Sequence, residues 1–271
     1  AVSLVGASHK ILERRIYLER ERKREEGRIV GQRTPLRVAT MNEVIVLNEG
    51  YSRFEDTPEQ EPSAVMLANC TCTLIKGRDC NVIVDTMTPW DGDLLLKRLQ
   101  EHQLHPDDID YVVSTHGHSD HLGNNNLFLG AKRHIVGTNI SHRNRYYVHD
   151  FDNAPFRLTD DIEIQATPGH TMSCVTVLVA DAITGLEAGG GGRTAIVGDL
   201  FERSEDIENE RLWIEAGSED PRSQRYHRAR IAELADWIIP GHGAAFRVDA
   251  SIRRSLRRQA DAPSAPTETG S

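Results

Sequence analysis

The chain has 271 residues, enough for one large domain or two ordinary ones. Hydrophobic residues make up 38% and charged residues 27%, a globular composition rather than a disordered or fibrous one. The formal charge of −9 argues against a large nucleic-acid-binding surface, though not a local one. No apolar run approaches the roughly 20 residues that cross a bilayer.

The first ten residues, AVSLVGASHK, are too short and too mixed for a signal peptide. Residues 1–33 read as a charged extension. Within them, residues 10–28 carry eight Lys/Arg against five Glu. Pairs such as Glu19–Lys23 and Arg22–Glu26 have helical i,i+4 spacing. No apolar stripe continues beyond Leu18, so a solvated arm is expected rather than a core helix.

Residues 34–259 read as one domain. Strand-rich runs come first, at Glu43–Asn48, Ala64–Ile75 and Asn81–Val84, and imply hairpins. Cys70 and Cys72 fall in the second run, and with Cys80 and Cys174 they match no zinc or redox spacing. Four reduced core thiols are expected, which favours a reducing compartment. A helix follows over Asp91–Gln103, with Leu94, Leu95 and Leu99 on one face and Asp91 as N-cap. Further strands are expected at Tyr111–Ser114, His134–Val136, Ile162–Ala166, Ser173–Val179 and Ala195–Val197. The run GLEAGGGGRT (185–194) reads as a turn between two of them; it lacks the GK[ST] of a phosphate loop. Helices are expected over Pro221–Trp237 and Asp249–Gln259. Residues 247–258 carry five Arg against one Asp. The tail, 260–271, is rich in Pro, Ser and Thr and reads as disordered. Strands first, then strand–helix alternation, fits a layered α/β sandwich.

The chemistry concentrates at His116-Gly117-His118-Ser119-Asp120-His121, fed directly by the strand run Val112-Val113-Ser114. Imidazoles two apart in extended chain point the same way and can share one ion. Asp120 and His121 lie on the turn beyond, within reach of a second ion. Three later strand runs end in small-residue turns that carry His170, Asp199 and His242. Strand ends are where an α/β layer builds its site.

This H-x-H-x-D-H segment, with His170, Asp199 and His242 in that order, resembles the metallo-β-lactamase superfamily over about Glu43 to Val248. The resemblance implies a four-layer αββα sandwich with two Zn²⁺ along one edge of its sheets. It implies His116, His118 and His170 on the first metal, and Asp120, His121 and His242 on the second, with Asp199 bridging. An Asp at position 199 resembles the glyoxalase II, lactonase and nuclease branches rather than the antibiotic-hydrolysing one. Thr115–His121, His149-Asp150, Thr167–His170, Gly198–Glu202 and Pro240–Gly243 also resemble an animal branch described as a zinc endoribonuclease of histone pre-mRNA 3′ ends. That branch is dimeric and lies in cytosol and nucleus, so a homodimer and a cytoplasmic and nuclear location are expected.

The leading expectation is thus a binuclear zinc hydrolase of RNA phosphodiesters, with Asp120 as the catalytic proton carrier. A glyoxalase II-like or lactonase-like hydrolase of a small anionic thioester or ester is the alternative. A mononuclear iron enzyme like the persulfide dioxygenases is a further one. Lys132, Arg133, Arg143, Arg145 and the C-terminal arginines are candidate phosphate contacts, with Tyr146 and Tyr147 as candidate stacking rings. No membrane partner is expected.

Overall fold

The computed structural model describes residues 41–55, 65–185 and 191–262. The extension expected over 1–33, and the tail beyond residue 262, lie outside the described residues. In chain order the first strands are β1 (Asn42–Asn48), β2 (Tyr51–Phe54), β3 (Met66–Asn69), β4 (Cys72–Lys76) and β5 (Asn81–Val84). Next come α1 (Gly92–Glu101), β6 (Tyr111–Ser114), the one-turn helix α2 (Ser119–Leu122), β7 (Arg133–Val136), β8 (Asn139–His142) and β9 (Arg145–Tyr147). The second half has β10 (Phe156–Arg157), β11 (Ile162–Ala166), β12 (Val175–Ile183), β13 (Gly191–Gly198), α3 (Arg211–Glu215) and α4 (Pro221–Leu234). It closes with β14 (Trp237–Pro240), β15 (Phe246–Arg247) and α5 (Ala250–Asp261).

The order β9-β8-β7-β6-β5-β4-β1 forms one sheet, and β10-β11-β12-β13-β14-β15 the other. They meet where β1 pairs in parallel with β12, Asn42 opposite Ala182 and Glu43 opposite Ile183. β4 pairs antiparallel with β1 and β5, as the expected hairpins require.

Alternation along each strand sets the layers. Val82, Val84 and Val113 face Ile164, Val175, Val177 and Ile239 in a core between the sheets. Their neighbours Ile83 and Val112 point the other way, onto Leu95 and Leu99 of α1. On the second sheet Leu178, Ala195, Val197 and Ile238 pack on Ile231 and Ala232 of α4 and Leu256 of α5. Three cores separate four layers, the αββα sandwich. All four cysteines are free and buried, and no helix among the described residues is long and apolar enough to cross a membrane.

Several boundaries differ from the sequence reading. The run Ala64–Ile75 is two strands, because Thr71 N–H leaves the ladder to donate to Gly241 O at 2.6 Å. The helix begun at Pro221 stops at Leu234, and Trp237 opens β14, whose parallel pairing with β13 claims the backbone. Asp91 takes the N-cap position of α1 as expected, but its carboxylate accepts from Thr88 N–H rather than from the helix. The glycine-rich run is strand from Gly191 onward, while 186–190 lie outside the described residues. Ala260 and Asp261 continue α5 rather than begin the tail.

Candidate metal centre

All seven residues singled out in the sequence meet at one end of the sandwich. His116 follows β6, and His118 is the N-cap of α2, which carries Asp120 and His121. His170 follows β11, Asp199 follows β13, and His242 follows β14. Each of the last three is preceded by a glycine. Gly198 holds φ +52°, and a Cβ there would overlap the Thr115 hydroxyl. A Cβ on Gly241 would overlap Asp199 Oδ1. The glycines let backbone close on the ligands without a side chain between.

Two sets of atoms converge. In the first, His118 Nδ1 lies 2.9 Å from His116 Nε2 and 3.1 Å from His170 Nε2. Asp199 Oδ2 lies 3.5 Å from His116 Nε2 and 3.3 Å from His170 Nε2. In the second, Asp199 Oδ1 lies 3.2 Å from His121 Nε2 and 3.3 Å from His242 Nε2. Asp120 Oδ2 is 3.8 Å and 3.7 Å from the same two nitrogens. Each Asp199 oxygen thus faces one set.

Partners behind the rings fix which nitrogen points inward. His121 Nδ1–H donates to Asp85 Oδ2 at 2.9 Å. His242 Nδ1–H faces the carbonyls of Asn69, at 3.0 Å, and Tyr51, at 3.2 Å. Asp85 also accepts from Thr115 N–H at 2.7 Å and from its hydroxyl. Such outer partners hold a ligand's ring and its tautomer. Sequence reasoning missed Asp85. Its signal was an acid directly after the apolar strand β5, the position Asp199 takes after β13. Glu202 was also missed as a site residue; its Oε2 lies 3.9 Å from His242 Nε2.

A cation fits this donor set. His121 Nε2 and Asp199 Oδ1 are buried, face each other, and have no hydrogen-bond partner. Two donors on a tetrahedral zinc, each ~2.0–2.1 Å from it, sit about 3.3 Å apart. The four Asp199–imidazole distances span 3.2–3.5 Å.

Charge divides the centre. Burial, then His121, pushes His116 well below the usual imidazole range, and burial lowers His170. Burial opposes the charge on His121 too, but Asp199 and Asp85 outweigh it and hold that ring well above the usual range. Asp199 likewise overcomes burial at His242 and raises it to about 9. Burial would raise Asp199, yet His121 and His242 hold it well below the carboxylate range. Burial and Asp199 together push Glu202 well up.

The segment after Asp199 is pinned from α4. Gln224 Nε2 donates to Asp199 O at 2.9 Å. The buried pair Arg228–Asp206 reaches Leu200 O and Glu202 N–H. Opposite, His118 is exposed and the Asp120 side chain is 18% accessible against 5% for Asp199, so the mouth opens on these two. Among the candidate phosphate contacts, Lys132 pairs with Asp110 and Arg133 stacks on Tyr147. Arg253 bonds the carbonyls of Ala232 and Ala235, and Arg257 pairs with Glu233.

The profile of the Metallo-beta-lactamase superfamily matches residues 66–261. Metallo-beta-lactamase domain-containing protein 1 of Xenopus laevis is 43% identical over 209 residues, 76% of this chain and 81% of that protein. The Homo sapiens protein of the same name is 40% identical over 169 residues, 62% of this chain and 59% of that one. A Thermotoga maritima crystal structure assigned to the same class superposes with a TM-score of 0.52 at 19% identity, covering 76% of this chain and 99% of that chain, a likeness of fold. With its fold, its ordered histidine and aspartate motifs and a profile match across most of its length, the chain belongs to the metallo-β-lactamase superfamily.

Proposed function

We propose that the chain is a binuclear zinc hydrolase that cleaves RNA phosphodiesters. The observation that carries the two-metal part is Asp199, whose Oδ2 faces the first set and whose Oδ1 faces the second. His116, His118 and His170 would hold one ion, and Asp120, His121 and His242 the other, with Asp199 between. Bound zinc would supply Lewis acidity and bring a water's pKa to about 7.

The chain's own residues do the rest. Two divalent ions against the charges of Asp120 and Asp199 leave a net positive centre, which suits an anionic scissile group. Asp120 is the centre's carboxylate nearest solvent, and with Oδ2 turned to the second set its other oxygen can take a proton and pass it outward. Asp85 holds the His121 ring in place while that happens. The RNA part rests on the charge argument and on the resemblance of the motif run to the endoribonuclease branch. A homodimer of cytosol and nucleus belongs to the same reading.

The test is parallel turnover by zinc-loaded protein on a short RNA and on S-lactoylglutathione, with metal content measured on the same sample. RNA cleavage with two zincs supports the proposal. Thioester hydrolysis without RNA cleavage replaces it with a small-ester hydrolase, and one iron with oxygen uptake ends the hydrolase reading.

A further inference from the structure

α4 carries three arginines that are at least partly buried, and two of them have carboxylate partners. Arg225 Nε bonds Glu210 at 2.7 Å, and Arg228 Nη2 bonds Asp206 at 2.6 Å. Arg230 has none among the described residues. Its Nε–H donates to His227 Nδ1 at 3.3 Å, Nη1 to Gln165 Oε1 at 2.6 Å, and Nη2 to Ala166 O at 2.9 Å. All three acceptors are neutral. A guanidinium has five N–H donors, so one on each terminal nitrogen is left over. A half-buried cation without a counter-ion is an unfavourable arrangement that a bound anion would relieve.

Arg230 lines a cavity of about 370 Å³ whose walls include Asn153, Pro168, Tyr226 and His227. This is a volume for a small charged molecule or one unit of a longer one, larger than a bare ion needs. Burial, then Arg230, pushes His227 down to about 4, so the ring is neutral at pH 7. Its Nδ1 accepts from Arg230, which leaves the hydrogen on Nε2 as a further donor. Tyr226 adds an exposed ring and hydroxyl at the mouth. One acid, Asp152, is among the lining residues.

We infer that the cavity beside Arg230, His227 and Tyr226 is a phosphate-binding site separate from the metal centre. Guanidinium, imidazole and phenol donors suit an oxyanion with three or four oxygens better than a planar carboxylate with two. The site borders the segment that leads to His170, since Arg230 holds Ala166 O, four residues before that ligand, but none of the seven candidate ligands lines it. It does not depend on which ester the metal centre cleaves. The phosphate would come from a free small molecule or from a chain that also reaches the metals.

The test is inorganic phosphate titrated into the zinc-loaded full chain, with the ring signals of His227 and the Nε–H signal of Arg230 followed by NMR. This readout is local and needs no turnover. Saturable movement of both signals is expected. Movement of the His227 signals should weaken by about tenfold or more in Arg230→Gln, and movement of both signals should strengthen in Asp152→Asn and persist in His116→Ala, where the metal centre is damaged. Acetate should bind about tenfold more weakly than phosphate. A short RNA that moves the same signals at lower concentration than phosphate makes the anion part of a polymer; one that does not makes it a free phosphate. The inference is overturned by no movement in the wild type, by equal movement in a folded Arg230→Gln, by loss of movement in His116→Ala, or by acetate binding as well as phosphate.

Discussion

The two halves of the centre are built from the same kind of residue and differ in charge. His116, His118 and His170 turn three nitrogens toward one point, and burial holds two of those rings neutral. His121 and His242 sit among Asp85, Asp199, Asp120 and Glu202, and without metal they keep protons. The first half is ready for a cation as it stands. The second uses protons where a cation would go and must release them on binding. The halves share one group, Asp199, whose buried charge needs positive charge beside it.

Removing that shared group should have the largest effect. Asp199→Ala should lose both ions and all measurable activity together, read by metal analysis beside turnover. Retention of the second ion in that variant would break the assignment. Asp120→Asn touches one half. It keeps the shape of the carboxylate but cannot take a proton. Turnover should fall by roughly 10²–10⁴-fold, with the first ion and the fold retained. Single-turnover cleavage with metal content on the same sample decides this; near wild-type cleavage at full metal removes Asp120 from the chemistry.

Asp85→Ala frees the back of the His121 ring. Zinc affinity of the second half should drop by roughly 10–100-fold while the first half is unchanged, as measured by competition with a chelator. Equal loss from both halves would mean that Asp85 supports the fold rather than one ring.

Acidification should separate the halves further. A proton held at His242 to about pH 9 competes with metal below that pH. Second-half affinity should therefore fall about tenfold per pH unit for each proton displaced, while the first half, where burial lowers His116 and His170, holds. The metal-free chain carries the matching stability effect. His242 is raised above its unfolded value, so its contribution is full below about pH 6.5 and fades as pH rises through about 9. The melting temperature of metal-free protein should then fall across that window, and zinc-loaded protein should not share the fall.

The smallest effect is expected from deleting residues 1–33, whose sequence lacks an apolar stripe beyond Leu18. Zinc content should be unchanged in both halves and the melting temperature within about 2 °C. A larger drop would place the arm against the domain.

What could be read in advance follows the same division. The seven ligand candidates sit at strand-end turns with small neighbours, so apolar runs such as Val112–Val113 or Ile238–Ile239 point straight at them. The groups behind them leave no spacing. Asp85 lies 31 positions from His116 and holds it through the Thr115 hydroxyl, a contact that only the pairing of β5 with β6 creates. The break at Cys70-Thr71 was hidden for a related reason: no glycine or proline marks it, and the cause is a carbonyl 170 positions away at Gly241. Short strands such as β8 and β9 escaped because their polar residues show little alternation. Trp237 was drawn into a helix by the residues before it, although Ile238 and Ile239 behind it belong to the sheet.

The central claim is that Asp199 joins two cations, one held by each half. Diffraction from zinc-loaded crystals on either side of the zinc absorption edge tests it most directly. Two anomalous peaks are predicted per chain, one among His116, His118 and His170, the other among Asp120, His121 and His242, with one Asp199 oxygen on each. A single peak at full zinc loading, or a second peak with His242 more than a few ångströms away, would contradict it.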